Sequence, residues 1–153
     1  MEQQKQIESI AQELLRLLGI EAEITVSSEQ QEGEELFHVE INAGDESGLL
    51  IGSHGATLQA IQSFIGMAMK QKSGEWLRIL VDIGNWRQKH EDYLVGLAKQ
   101  AAERARQSGE AQHLYNLTPV QRRVIHMALS EEEGIVTESQ GEGDSRYLVV
   151  KPA

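Results

Sequence analysis

The chain has 153 residues, 40% of them apolar and 25% charged, with no cysteine and a formal net charge of −10. That length suits one ordinary domain or two small ones, the apolar share excludes wholesale disorder, and the missing thiols exclude disulfides, thiolate metal sites and cysteine nucleophiles. No apolar run approaches the roughly 18 residues of a membrane span and no secretory leader is visible, so the reading is a cytoplasmic protein without membrane insertion.

Ile7, Ile10, Ala11, Leu14 and Leu18 recur at helical spacing before Gly19, which predicts a helix over 3–18 with a glycine cap. Ile20, Ala22, Ile24 and Val26 alternate, as do Phe37, Val39 and Ile41, predicting two half-buried strands joined by an acidic loop over 27–35. A short helix over 45–51 then leads into the turn Gly52-Ser53-His54-Gly55. Leu58, Ile61, Ile65, Ala68 and Met69 line one face of the next helix, which Gly74 ends. Leu77, Ile79, Val81 and Ile83 alternate in a third strand.

Gly84-Asn85 marks the expected boundary between domains 1–84 and 85–153. A long helix from Trp86 to about Gln107 follows, with Tyr93, Leu94, Leu97, Ala101 and Ala105 as its inner face. Gln112 to Tyr115 can form a short strand. Thr118-Pro119-Val120-Gln121 then combines an N-cap threonine, a first-turn proline and a capping-box glutamine, so a helix should run to Leu129. Ile135–Glu138 and Arg146–Val150 read as an antiparallel pair around the turn 140–144. Neither a repeat nor a low-complexity linker is visible.

Charge is distributed unevenly. Residues 1–53 hold 2 basic and 12 acidic side chains, residues 54–126 hold 10 and 6, and residues 127–153 hold 2 and 6. The net-positive stretch begins inside the glycine turn, so one face of an acidic chain can still meet a polyanion. Two glycines let a backbone approach phosphates closely where a helix N-terminus offers unpaired N–H groups. With 14 glycines in the chain, about one Gly-x-x-Gly is expected by chance, so the flanking elements must carry the reading. Leu49, Leu50, Ile51, Leu58 and Ile61 would floor this motif, with bases in the groove between helix 56–71 and the neighbouring strand.

A second candidate is the helix Gln121-Arg122-Arg123-Val124-Ile125-His126. Four residues advance about 40° around a helix, so Arg122 and His126 share a stripe, with Val120, Val124 and Ala128 expected to be buried opposite. A guanidinium can hold phosphate bidentately, with an imidazole one turn away and Arg123 widening the basic surface. An ordinary solvated helix face is the alternative. His90-Glu91-Asp92 spreads around its helix and cannot converge on a metal. His38 and His113 stand singly on predicted strands, and Glu131-Glu132-Glu133 reads as a solvated helix end. Trp76 and Trp86 flank the third strand and fit packing better than base stacking.

The run Gly-Leu-Leu-Ile-Gly-x-x-Gly-x-Thr-Leu-x-Ala-Ile-Gln at 48–62, in its element order, resembles a type II KH domain. Arg122 and His126 match the residues of the Arg-x-x-x-His domain, a single-stranded nucleic-acid-binding module. Their succession resembles the bacterial Jag (SpoIIIJ-associated, KhpB-type) family across nearly the whole chain. The resemblance implies an α+β fold of two small domains, an αββααβ KH domain and then helices on a small antiparallel sheet. It implies a noncatalytic, cofactor-free protein that binds single-stranded RNA, or single-stranded DNA, through Gly52, Ser53, His54, Gly55, Arg122, Arg123 and His126. The alternative is an adaptor that pairs with another small KH protein, with RNA binding weak or vestigial. Two departures stand out. KH loops usually carry a lysine or arginine between the glycines, where this chain has Ser53 and His54, and the match begins at the KH helix, so the N-terminal Jag domain is expected to be missing.

Overall fold

The computed structural model describes residues 1–153, which divide into two compact units, Met1–Arg87 and Gln88–Ala153. In the first unit, helix α1 (Glu2–Leu17) buries Ile7, Ile10, Ala11 and Leu15. Leu15 takes the inner place expected for Leu18, because the helix stops one residue before Leu18. Gly19 (φ +71°) ends it in a Schellman arrangement, with the Gly19 N–H donating to the Arg16 carbonyl and the Ile20 N–H to that of Leu15.

Strands β1 (Glu23–Gln31) and β2 (Glu34–Asn42) are longer than their apolar alternation, and the acidic loop expected over 27–35 is strand instead. The reason is the two-residue turn Glu32-Gly33, whose φ values of +55° and +85° match a type I′ hairpin. The outer part of this hairpin is exposed on both faces, so polar residues suffice there. A 3₁₀ turn (Gly44–Glu46) and short helix α2 (Ser47–Ile51) lead through the glycine turn into α3 (Ala56–Ser73), which ends at Gly74 (φ +82°). Strand β3 (Arg78–Ile83) then runs parallel to β2, giving the order β1-β2-β3. Phe37, Val39 and Ile41 of β2 and Ile79, Val81 and Ile83 of β3 form one core with α1, α2 and α3.

In the second unit, α4 (Trp86–Ser108, its first two residues belonging to the first unit) buries Leu94, Ala98, Ala101, Ala102 and Ala105. Tyr93, expected on the inner face, is exposed, and Leu97 only half-buried. The alanines recur three and four apart, so this narrow face permits the closest packing, and it sets the helix rotation. Strands β4 (Gln112–Leu114), β5 (Ile135–Gln140) and β6 (Tyr147–Pro152) form an antiparallel sheet in the order β4-β6-β5. Helix α5 (Pro119–Leu129) starts at the expected capping box. The Gln121 N–H donates to Thr118 Oγ1 at 3.2 Å, and the Thr118 N–H to Gln121 Oε1 at 2.9 Å.

Candidate nucleic-acid interface

Each glycine of the Gly52–Gly55 turn is required for a different reason. Gly52 has φ +72°, and a Cβ there would lie 2.9 Å from the Thr57 nitrogen. Gly55 has φ +76° and is buried on the Trp86 indole, whose Cη2 would be 2.5 Å from an added Cβ. Trp86 is therefore a packing residue, half-buried against the first core. Between the glycines, Ser53 and His54 are exposed, with His54 itself left-handed at φ +53°. No side chain caps α3, and the Ala56 N–H donates to the Ser53 carbonyl within the turn. Of the expected floor, Leu50, Leu58 and Ile61 are buried and Ile51 packs against them, but Leu49 is 70% exposed because the five-residue α2 has only one inward face.

On the outer edge of β3, side chains take up both backbone groups of Val81. Gln62 Oε1 on α3 accepts from the Val81 N–H at 2.9 Å and from Arg87 Nη2 at 3.0 Å, while Arg87 Nε donates to the Val81 carbonyl at 2.9 Å. Arg87 is held in turn by its backbone N–H, which donates to buried Asp82 Oδ1 at 3.2 Å. Glu40 pairs in register with Asp82; burial first, and then the Asp82 charge, raises its carboxyl above the ordinary range. Trp76, expected to pack, is 63% exposed, with Lys70 Nζ 4.6 Å from its ring centroid. A planar aromatic face and a cation thus sit on the surface of α3.

The second unit corrects the expected stripe on α5. The buried residues are Gln121, Arg122, Ile125 and Leu129, whereas Val120 is 72% exposed and Val124 and Ala128 only half-buried. Ile125 and Leu129 set the inner face, and Arg122, three residues before Ile125, falls roughly 40° from its centre. Arg122 as a whole residue is 9% exposed, with Nη1 donating to the Leu117 carbonyl at 2.7 Å and the Arg146 carbonyl at 3.5 Å. His126 is exposed at the margin of that face, its Nδ1 hydrogen-bonded to Thr137 Oγ1. Arg123 is exposed.

These three residues line one cleft of about 390 Å³, together with Pro119, Thr137, Ser139, Arg146 and Leu148. Three guanidinium groups, an imidazole and two hydroxyls around one cleft are donors suited to phosphate oxygens. Arg146, Thr137 and Ser139 were not singled out from the sequence. The signal was available in β5, where Ile135, Thr137 and Ser139 alternate onto one face. Elsewhere, His38 lies 3.1 Å from Glu29, and Glu132 of the acidic triplet bonds Arg106 at 2.6 Å.

Comparison with known proteins gives two family matches. Residues 5–83 match the KhpA/KhpB KH domain, and residues 92–152 match the Arg-x-x-x-His domain. Among curated relatives, an RNA-binding protein KhpB of Clostridium symbiosum is 31% identical over 127 residues, covering 83% of this chain and 57% of that protein. Its Bacillus subtilis counterpart is 31% identical over 116 residues, covering 74% and 54% respectively. That of Lactiplantibacillus plantarum is 28% identical over 105 residues, covering 69% and 33%. The chain thus spans about half the length, or less, of the curated relatives it matches.

Proposed function

The chain belongs to the KhpB (Jag) family, and from that premise we propose that it is a noncatalytic cytoplasmic protein that binds single-stranded RNA by its phosphate backbone. The observation that carries this reading is the cleft formed by α5 and β5, where Arg122, Arg123, Arg146 and His126 converge with two hydroxyls. Arg123, Arg146 and His126 are the accessible donors. Arg122 acts from behind them, oriented by the two carbonyls it bonds. In the first unit the Gly52–Gly55 turn brings backbone close enough to guide a strand. Ser53 and His54 supply less positive charge than lysine would, so this turn contributes contact more than electrostatic attraction. With the Val81 edge groups already bonded to Gln62 and Arg87, bases beside α3 meet side chains rather than open strand edge at that point.

Fluorescence anisotropy with short single-stranded RNA, across a salt series, tests the reading. Affinity should fall steeply with salt, and Arg123→Ala should flatten the slope of log K against log salt by about 0.7, the value for one phosphate contact on a single strand. The same series with DNA of equal sequence decides between the two nucleic acids. A protein adaptor paired with another small KH protein is the second reading, favoured by the 12 acidic residues among the first 53. Purified protein with no RNA affinity at low salt, recovered from cells in a stoichiometric protein complex free of RNA, would replace the first reading by the second.

A further inference from the structure

The sheet of the second unit has a face that its helices do not use. Leu114, Leu148 and Val150 point into the core shared with α4 and α5. Strand alternation therefore turns His113 and Tyr147 to the other side. Tyr115, just past β4, returns to that side with its ring parallel to His113 (centroids 6.3 Å apart, planes 14° apart) and 5.0 Å from Tyr147. His113 and Tyr147 complete the triangle at 5.7 Å. Tyr147 is held in place by its hydroxyl, which donates to Gln140 Oε1 at 3.1 Å. Tyr115, by contrast, is 60% exposed, so its ring gains little from burial.

We propose that Tyr115, Tyr147 and His113 form a stacking platform for an unpaired nucleobase. This rests on the strand-binding reading above and assigns to it a base contact, where the cleft supplies only phosphate contacts. Continuity selects the occupant. Arg146 lines the basic cleft, and Tyr147, the next residue, faces the opposite side of the sheet. Adjacent Cα atoms lie about 3.8 Å apart, so one strand passing around this end of β6 can set a phosphate at Arg146 and a base on the rings. Aromatic faces accept any base, so the platform adds affinity with little sequence preference. The acidic group of this face, Glu138, is ion-paired to Lys151 Nζ at 3.1 Å, which lowers the repulsion of an approaching strand.

The test compares oligoadenosine with an abasic ribose-phosphate oligomer of equal length, so that phosphates are matched and only bases differ. Tyr115→Ala should weaken oligoadenosine binding about 5- to 150-fold, the effect of losing one aromatic–base stack. It should leave the abasic oligomer, the salt slope and the circular-dichroism melting curve unchanged. Tyr115→Phe, which keeps the ring, should bind oligoadenosine like the parent. If Tyr115→Ala binds oligoadenosine like the parent, the platform is overturned while strand binding stands, and the rings are left to a protein partner. Equal weakening on both oligomers also overturns it, since the residue would then act through backbone contacts or structure. If the unaltered protein binds neither oligomer, the strand-binding reading falls and the platform with it.

Discussion

Replacing Gly55 by alanine places a methyl group where the Trp86 indole already sits. The added Cβ would lie 2.5 Å from Cη2 and 2.8 Å from Cζ3, at a backbone φ of +76°. The left-handed conformation costs an L-residue about 1–2 kcal/mol. Forcing one more carbon into filled space adds about 1–3 kcal/mol. The indole is a rigid bicycle packed against the first core and cannot swing aside as a lysine tail could. Gly55→Ala should therefore lower stability by about 2–5 kcal/mol. In a Trp86→Leu background only the backbone cost should remain, so the two changes should couple by about 1–3 kcal/mol in a double-mutant cycle. Urea unfolding of the parent, both single variants and the double variant, followed by far-ultraviolet circular dichroism, reads this directly. Additivity within about 0.5 kcal/mol would refute the close approach of Gly55 to Trp86. One consequence is practical. Joint replacement of Gly52 and Gly55 by aspartate would lose binding through unfolding, so exposed His54 is the cleaner place to introduce a carboxylate.

His54→Lys should tighten binding to short RNA and steepen its salt slope by about 0.7; an unchanged slope would mean that the turn does not face phosphate. Arg122→Ala should cost about 2–4 kcal/mol in unfolding, since a charge-assisted hydrogen bond contributes about 1.5–3 kcal/mol and the Leu117 carbonyl is left unpaired. Arg123→Ala should change stability by no more than about 0.5 kcal/mol while still weakening RNA binding. Glu40 carries a raised carboxyl pKa, from burial first and the Asp82 charge second, so the folded state holds its proton more tightly than the unfolded one. Stability from this group is fully present below the ordinary carboxylate range and is lost as pH rises through its folded value. Glu40→Gln should accordingly raise the melting temperature near neutral pH and leave it unchanged at about pH 3; a gain that is equal at both pH values would point to a cause other than ionisation.

How much of this was legible in the sequence depends on whether a feature is local. The start of α5 was, because Thr118, Pro119 and Gln121 complete a capping box among themselves. The ends of α1 and α3 were legible within a residue from Gly19 and Gly74, both of which adopt positive φ. Of the β1–β2 hairpin the inner, apolar strand halves were legible, but its outer half and its turn were not. Its turn is Glu32-Gly33, a pairing weaker in type I′ preference than Asn-Gly, and its outer residues face water on both sides. Alternation of apolar residues disappears where neither face is buried, so a strand there leaves no trace in the pattern.

Helix α5 shows a different limit. Val120, Val124 and Ala128 form one apolar row, and Ile125 with Leu129 forms another; periodicity alone does not say which row meets the core. The larger pair won, and it carried Arg122 inward with it. An arginine at that depth needs acceptors, and these are main-chain carbonyls of Leu117 and Arg146, which no side-chain pattern reveals. The same rotation brings His126 to Thr137 and lets β5 and Arg146 complete the cleft. A freely solvated Arg–His stripe would hold phosphate with two mobile side chains. Anchored at the margin of the core, Arg122 has already lost its rotamer freedom on folding, so less entropy remains to be lost when a strand binds. Burial here makes the donor set pre-organised at the expense of some access, which is why the exposed Arg123 should dominate the salt dependence and the buried Arg122 the stability.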